Sequence, residues 1–267
     1  MNRSGALRMS DLMKTYPIRK IHEHGPGVKS FYFDKDFEIR AGEFVNVWSP
    51  GVDEKPYSVS AVIDDMIEVS VKAYGPFSKD LMIKKIGDRL GLRGSFGHGF
   101  TLHDNALLIG GGIGIAPLRI LAQELTAKGY RFVNLLGAAV AYEIIFASDF
   151  EKAGKTYFTT DDGSKGKKGL VTDDLTEIIE NEKIEYIYAA GPEIMFVKVK
   201  EIINPLNIPY EFCMERYMKC GIGICGQCCM DGSGIRLCVE GPVLKKEDIA
   251  QITELGMKHR DASGRRV

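Results

Sequence analysis

No apolar run in this 267-residue chain approaches the length of a membrane span, so no transmembrane helix is expected. The first residues, MNRSGALRMSDLMKTY, hold no apolar core of a secretory signal. A cytosolic compartment is therefore expected, and a disulfide framework is not. Met9 and Met13 are alternative starts, because the first strand-like pattern begins near Lys14. A formal net charge of −1 gives no electrostatic case for binding nucleic acid or an anionic membrane. Internal repeats and low-complexity tracts are absent. The five histidines are scattered, and no paired acid–base constellation for abstracting a substrate proton is visible. His98, in the turn Gly94–Phe100 (GSFGHGF), comes nearest to a redox-site role, against the plainer reading of a polar loop residue.

What is present is concentrated in Lys219–Cys238, KCGIGICGQCCMDGSGIRLC. Cys220, Cys225 and Cys228 form a C-x4-C-x2-C array, and Cys238 follows after nine intervening residues. This is the spacing of plant-type 2Fe–2S ferredoxins. Two irons need four thiolates converging on a small volume, and a short loop supplies three only by turning sharply. Gly221, Gly223 and Gly226 permit that turning and leave N–H groups free to face sulfur. A structural zinc site would more often pair two C-x2-C knuckles, which this array lacks. Cys229 is adjacent to Cys228, but the x2 spacing favours Cys228. Cys213, in the apolar segment Pro209–Met214, reads as a buried core residue.

The length suits two domains plus an appendage, and a hydrophobic content of 45% with 27% charged residues is ordinary for a globular protein. From Lys14 to about His103, short β-type runs alternate with turns: Tyr16–His22, Val28–Phe33, Phe44–Trp48, Tyr57–Val62, Met66–Lys72 and Arg89–Arg93. Gly25-Pro26-Gly27, Pro50-Gly51 and Asp64-Asp65 punctuate them, as in a sandwich or barrel. From Asp104 to about Met214 strands and helices alternate. Strands are expected at Ala106–Ile109, Phe132–Gly137, Tyr157–Thr160 and Tyr186–Ala190, and helices at Pro117–Lys128, near Asp173–Asn181 and at Glu193–Ile203. Such alternation implies a parallel sheet with helices on its faces. The expected organisation is multidomain β plus α/β: a β-barrel over 1–103, a nucleotide-binding parallel α/β sheet over 104–212, and a cysteine module with a polar, basic tail over 213–267.

Gly110, Gly111, Gly112 and Gly114 in LLIGGGIGIAPL (Leu107–Leu118) stand where a first strand meets a first helix. Close backbone approach and a helix N-terminus suit an anion there, while a tight packing turn is the plainer reading. Ala189-Ala190-Gly191-Pro192 is a second strand end opening onto a helix, and the two together point to a nicotinamide nucleotide. In the β-rich part, Lys55-Pro56-Tyr57-Ser58 combines a cation, a ring and a hydroxyl, suited to phosphate and to an isoalloxazine face. Gly75-Pro76-Phe77-Ser78 precedes a helical stretch expected at Lys79–Lys84.

In this order, KPYSVS, GPFS, GSFGHGF, GGGIGIAPL and AAGPEIMF resemble the ferredoxin–NADP reductase superfamily, over nearly the whole chain from about Tyr16. The CGIGICGQC module narrows the resemblance to electron-transfer subunits of type B dihydroorotate dehydrogenase. That resemblance implies an FAD and a 2Fe–2S cluster, use of NAD, and an FMN-containing catalytic subunit as partner in a heterotetramer of pyrimidine biosynthesis. It places the flavin motif on Lys55, Pro56, Tyr57 and Ser58, with Ser70, Val71 and Lys72 lining the flavin. Gly75, Phe77 and Ser78 would lie near the pyrophosphate. The cluster ligands would be Cys220, Cys225, Cys228 and Cys238. The chain departs from the family at Lys55, usually arginine, and at Phe77, usually glycine. Charge survives at Lys55, but bidentate geometry does not.

The implied chemistry is coherent: a nicotinamide exchanges two electrons as hydride, a 2Fe–2S cluster passes one, and a flavin manages both. Related readings are a subunit of sulfide dehydrogenase, of a ferredoxin–NADP bifurcating enzyme or of a soluble hydrogenase. A zinc-stabilised regulatory or binding protein is the reading from another class. Asp161 and Asp162, after the Tyr157–Thr160 strand, are expected to disfavour NADP. Ile222, Ile224 and Met230 flank the cysteines and are expected to help cover the cluster at a subunit interface.

Overall fold

Hydrogen bonding divides the strands between two seven-stranded sheets. The computed structural model describes residues 12–258, 260, 261 and 263–266; Met9 and the tail residues His259, Ala262 and Val267 lie outside the described residues. The first sheet holds β1 (Lys14–Pro17), β2 (Lys20–Gly25), β3 (Val28–Asp34), β4 (Phe44–Ser49), β5 (Asp53–Ile63), β6 (Met66–Lys72) and β7 (Arg89–Phe96). It is antiparallel, in the order β1-β7-β4-β5-β6-β3-β2. Its two edges, β1 and β2, are joined only through Ile18 and Arg19, so the sheet curls until they meet, as a barrel requires. Ile18 is buried at that seam; its N–H donates to the Asp88 carbonyl and that of Arg19 to the Tyr32 carbonyl. The single run expected over Tyr16–His22 is therefore two strands, because the chain crosses here from β7 to β3. Asp64 and Asp65, at φ 48° and 58°, make the tight hairpin between β5 and β6.

β5 begins well before the expected Tyr57. β4 pairs with it back to Ser49↔Asp53, which draws Lys55-Pro56 into the strand. Pairing with β6 starts only at Val59, so the missing N–H of Pro56 leaves no gap in that ladder. A short helix, α1 (Pro76–Met82), packs against β4, β5 and β6. It replaces the helix expected at Lys79–Lys84, because Pro76 is pre-set for a first helical turn.

The second sheet holds β8 (Ala106–Gly111), β9 (Phe132–Ala138), β10 (Lys155–Thr160), β11 (Lys167–Lys168), β12 (Tyr186–Ala190), β13 (Tyr210–Cys213) and β14 (Val243–Lys245). Its order is β11-β10-β9-β8-β12-β13-β14, parallel except for β14. Helices α2 (Ile115–Ala127), α3 (Ala147–Ala153), α4 (Leu175–Glu182) and α5 (Glu193–Ile203) make the crossovers. The short α3, β11 and β14, and the terminal helix α6 (Lys246–Ile249), were not expected from the sequence pattern. The strand order reverses between β8 and β12, which places a crevice at their carboxyl ends.

Residues 214–242, with the cysteines, leave the sheet at β13 and return to it at β14. The boundary placed between 212 and 213 thus falls inside a strand, and the cysteine segment is an excursion from the α/β sheet. The Arg216 guanidinium fixes its root. It pairs with Glu193, the first residue of α5, and with Glu254 at 3.1 Å. Its side chain is 3% exposed and that of Glu254 4%, so removing the cation strands buried carboxylate. Arg216→Met is expected to cost about 3–5 kcal/mol in chemical denaturation, and a loss below about 1 kcal/mol would refute this account of the junction. Among the described residues no helix is long and apolar enough to cross a membrane.

Candidate functional site

The crevice between β8 and β12 is built from glycine. In register, Ala190 lies opposite Gly110. A Cβ on Gly110 would meet Ile115 at 2.8 Å, and one on Gly111 would meet Met195 sulfur at 2.8 Å. One on Gly114 would stand 2.5 Å from the Ala190 oxygen and the Gly191 nitrogen. Gly112, at φ +55°, faces open space. Three of the four glycines therefore let strand ends and helix pack, and Gly112 leaves room above them. The second strand end meets the first directly, since a Cβ on Gly191 would lie 3.1 Å from Gly111 backbone. This fits a nucleotide pyrophosphate laid across the switch point.

On the first sheet, Glu54–Ser58 are only half-buried although β5 is the central strand. A trough at the middle of a sheet suits a flat ring system. The Tyr57 ring stacks on Phe77 of α1, with centroids 6.2 Å apart and planes 27° off parallel. Burial pushes the Tyr57 phenol up, so it remains neutral. The Lys55 ammonium is held by Asp53 and donates to the Tyr217 hydroxyl at 2.7 Å.

Other expected flavin residues are differently disposed. The Ser70 hydroxyl is buried and bonded to Ser60 at 2.7 Å and Ser30 at 2.9 Å, and Val71 lies in the core. They can line a cofactor through backbone alone. Lys72 pairs with Glu143 at 2.5 Å. The Ser78 hydroxyl accepts the N–H groups of Tyr74 and Gly75 at 2.8 and 3.1 Å, closing the start of α1 on itself. It is thus engaged locally, whereas Gly75 faces open space.

The cysteine loop brings its thiols together in two pairs. The Cys225 N–H donates to Cys220 Sγ at 3.5 Å, and the Cys238 N–H to Cys228 Sγ at 3.5 Å. Burial acts to raise the Cys220 thiol, but N–H groups of Cys225, Ile222 and Ile224 outweigh it and hold it at about 7. A hydrogen bond from Cys238 holds Cys228 at about 6 against burial, and Cys238 is pushed up by the same bond and by burial. Backbone dipoles aimed at sulfur are what thiolate ligands need. A 2Fe–2S cluster takes four thiolates, and these contacts link Cys220 with Cys225 and Cys228 with Cys238. Among the described residues no three His, Cys, Asp or Glu side chains group as ligands of a single ion. Cys229 is half-exposed beside the buried Cys228. Cys213 is buried, which together with Glu215 pushes its thiol up to about 12 against a hydrogen bond with Ser58.

The loop is seated on the first sheet at contacts the sequence did not signal. Arg93 on β7 donates to the carbonyls of Cys220 at 2.8 Å and Lys219 at 3.2 Å. A Cβ on Gly221, at φ +71°, would lie 3.2 Å from the Phe96 ring, and one on Gly97 would strike Gly241 and Pro242 at 2.5 Å. The His98 N–H donates to the Gly241 carbonyl, while its side chain is exposed. The GSFGHGF turn thus receives the exit of the cysteine loop through its backbone. Of the apolar flanking residues, Met230 is buried and Ile222 half-buried, whereas Ile224 is 80% exposed beside the exposed Cys225. Asp161 and Asp162 lie just beyond β10. The Asp162 carboxylate accepts from the Ser164 N–H and hydroxyl at 2.9 and 2.6 Å, and that of Asp161 is exposed.

A curled antiparallel sheet, a parallel sheet with a glycine-lined switch point and a four-thiol loop define an oxidoreductase subunit of ferredoxin–NADP reductase architecture. The family described as the iron–sulfur cluster binding domain of dihydroorotate dehydrogenase B matches residues 215–250. A probable dihydroorotate dehydrogenase B (NAD(+)) electron transfer subunit of Methanocaldococcus jannaschii is 43% identical over 94% of this chain and 96% of its own. The protein of the same description from Methanothermobacter thermautotrophicus is 43% identical, over 94% and 95%. A solved chain of the NADH-dependent reduced ferredoxin–NADP oxidoreductase superposes with a TM-score of 0.80 at 28% identity, over 87% of this chain and 88% of that one. This chain belongs to the family of dihydroorotate dehydrogenase B electron transfer subunits.

Proposed function

We propose that this chain relays electrons between NAD and an FMN-containing dihydroorotate dehydrogenase subunit, in a cytoplasmic heterotetramer of pyrimidine biosynthesis. Cys220, Cys225, Cys228 and Cys238 hold one 2Fe–2S cluster. FAD lies along the trough of Lys55, Pro56, Tyr57 and Ser58, against the backbone of Ser70, Val71 and Lys72 and the Gly75–Ser78 turn. NAD spans Gly110, Gly111, Gly112 and Gly114. The units are a flavin domain over 1–103 and a nucleotide domain that begins at 104, with the cluster module carried on the excursion between β13 and β14. When bound, FAD supplies the exchange between hydride and single electrons that neither a nicotinamide nor a cluster performs alone. The chain's own part is to orient the nicotinamide at the glycine crevice, to stack Tyr57 in the flavin trough, and to supply four thiolates, of which Cys225 is exposed and Cys228 and Cys238 are buried.

The observation that carries this reading is the paired thiols, with backbone N–H groups turned toward Cys220 and Cys228. The zinc reading is set aside, because the matched family is described by iron–sulfur cluster binding. Reconstituted with its partner, the chain is expected to reduce NAD at the expense of dihydroorotate, and alone to be inactive with dihydroorotate. Dihydroorotate oxidation by the isolated chain would contradict the assignment. The likeness to the NADH-dependent ferredoxin–NADP oxidoreductase supports a second reading, which predicts turnover with reduced ferredoxin and NADP instead.

Two further outcomes test the details. Asp161, exposed at the end of β10, would repel a 2′-phosphate. NADH is therefore expected to be favoured over NADPH by about tenfold or more in kcat/KM, and a preference for NADPH would defeat that role. Ile224 is expected to be covered by the partner. Ile224→Glu should weaken subunit association by about tenfold or more in sedimentation or titration calorimetry. An unchanged affinity would place the interface elsewhere.

A further inference from the structure

We infer that Arg93 is a positioning residue for the cluster: it fixes the first cysteine ligand onto the flavin sheet. This rests on the reading of Cys220 as a ligand. The guanidinium is aimed by a partly buried arrangement on three adjacent strands. Its Nε donates to Glu54 of β5 at 2.7 Å, and the same Glu54 oxygen accepts from Asn46 of β4 at 2.6 Å. The carboxylate therefore fixes the plane of the guanidinium from behind. Nη2 also lies 2.5 Å from that Glu54 oxygen, and the adjacent edge of the guanidinium meets two successive carbonyls, Nη1 donating to that of Cys220 and Nη2 to that of Lys219. The Arg93 side chain is 13% exposed, and its cation lies 5.3 Å from the Phe96 ring centroid.

The arrangement is specific to arginine. A planar fork can bond a carboxylate on one edge and two carbonyls on another, whereas an ammonium cannot reach all three in one geometry. It acts on the strand of backbone that bears the ligand. Holding the Cys220 carbonyl fixes the peptide that leads into Gly221, whose positive φ begins the cluster turn. Gly221 is itself seated against Phe96 and Asn46, so one patch of β4 and β7 both receives the turn and grips its first residue. Glu54 immediately precedes the Lys55–Ser58 trough, so the same strand positions the flavin and, through Arg93, the entry of the cysteine loop. Outer residues that orient metal ligands govern how tightly the metal is held and how it responds electronically.

The test is Arg93→Met in the full chain assembled with its partner. Its reduced cluster is expected to show an electron paramagnetic resonance spectrum with altered g-anisotropy. Loss of the visible cluster absorption to a chelator should be about 10–100-fold faster than in the wild type. Arg93→Lys is expected to recover only part of the chelator resistance. A wild-type spectrum together with a wild-type chelator half-life in Arg93→Met would overturn the proposal. Should Arg93→Met not fold, Glu54→Gln keeps the guanidinium but removes the carboxylate that aims it. The same spectral change and faster loss are expected there, and wild-type values for both would overturn the proposal equally. Absence of any 2Fe–2S spectrum from the wild-type protein would instead defeat the functional reading itself, which separates the two failures.

Discussion

Replacement of Cys220 by serine is expected to impair or abolish the 2Fe–2S cluster and to reduce dihydroorotate-coupled NAD turnover by on the order of a hundredfold or more. Serine offers a hard oxygen on a shorter bond in place of a polarizable sulfur. It also disturbs the pairing in which Cys220 Sγ accepts the Cys225 N–H. The trough proposed for the flavin lies on β5, β6 and α1 and the crevice proposed for the nucleotide on β8 and β12, all upstream of the loop. NADH should therefore still bleach the flavin of the variant, and small dyes that accept electrons from FAD should still be reduced. The contrast between lost coupling and retained dye reduction identifies the cluster as the exit from the flavin. Full coupled turnover in Cys220→Ser would remove the cluster from the electron path.

The parts of this arrangement that were legible in sequence are those whose determinants are local. The cysteine spacing lies within one loop, and β6, β12 and α5 have the expected bounds because their apolar patterns run uninterrupted from end to end. The start of β5 was legible only in part: Lys55-Pro56 reads as continuous with the strand at Tyr57, but Asp53 and Glu54 join it only because β4 pairs back to them. Likewise α3 is only seven residues long and follows Phe146 at φ +62°, so it offers neither a long period nor a capping side chain.

The face a side chain takes was harder still. Ser70 and Ser78 have the right chemistry to bind a cofactor, but Ser60, Ser30 and the backbone of Tyr74 and Gly75 already engage their hydroxyls. Arg93 went unnoticed for a related reason. The residue it grips is 127 positions away, and nothing within the β7 sequence marks a strand arginine as a brace for a distant loop. Positioning groups acquire their meaning from tertiary contact, whereas the cysteine spacing is visible in the sequence itself.

The glycines of the nucleotide crevice yield the last prediction, because two neighbours should fail in different ways. A Cβ on Gly114 would stand 2.5 Å from the Ala190 oxygen and Gly191 nitrogen and 2.6 Å from the Ala190 carbonyl carbon. These are backbone atoms at the end of a buried strand, and they cannot rotate aside. Gly114→Ala should thus push the head of α2 away from β12, costing about 1–3 kcal/mol, or roughly 3–9 °C in Tm. It should also raise the KM for NADH, since the crevice is formed by that contact. Gly112 has no neighbour within 4 Å of its Cβ position but sits at φ +55°. Gly112→Ala then carries only left-handed strain of about 1 kcal/mol, while its methyl group projects into the space assigned to the pyrophosphate. Its effect on KM should exceed its effect on Tm, with the KM rising by about tenfold or more. Thermal melts and steady-state NADH–dye kinetics on the two variants resolve the pair. A wild-type Tm for Gly114→Ala would show that the strand end can yield. An unchanged KM for Gly112→Ala would mean that the nucleotide does not pass over that face.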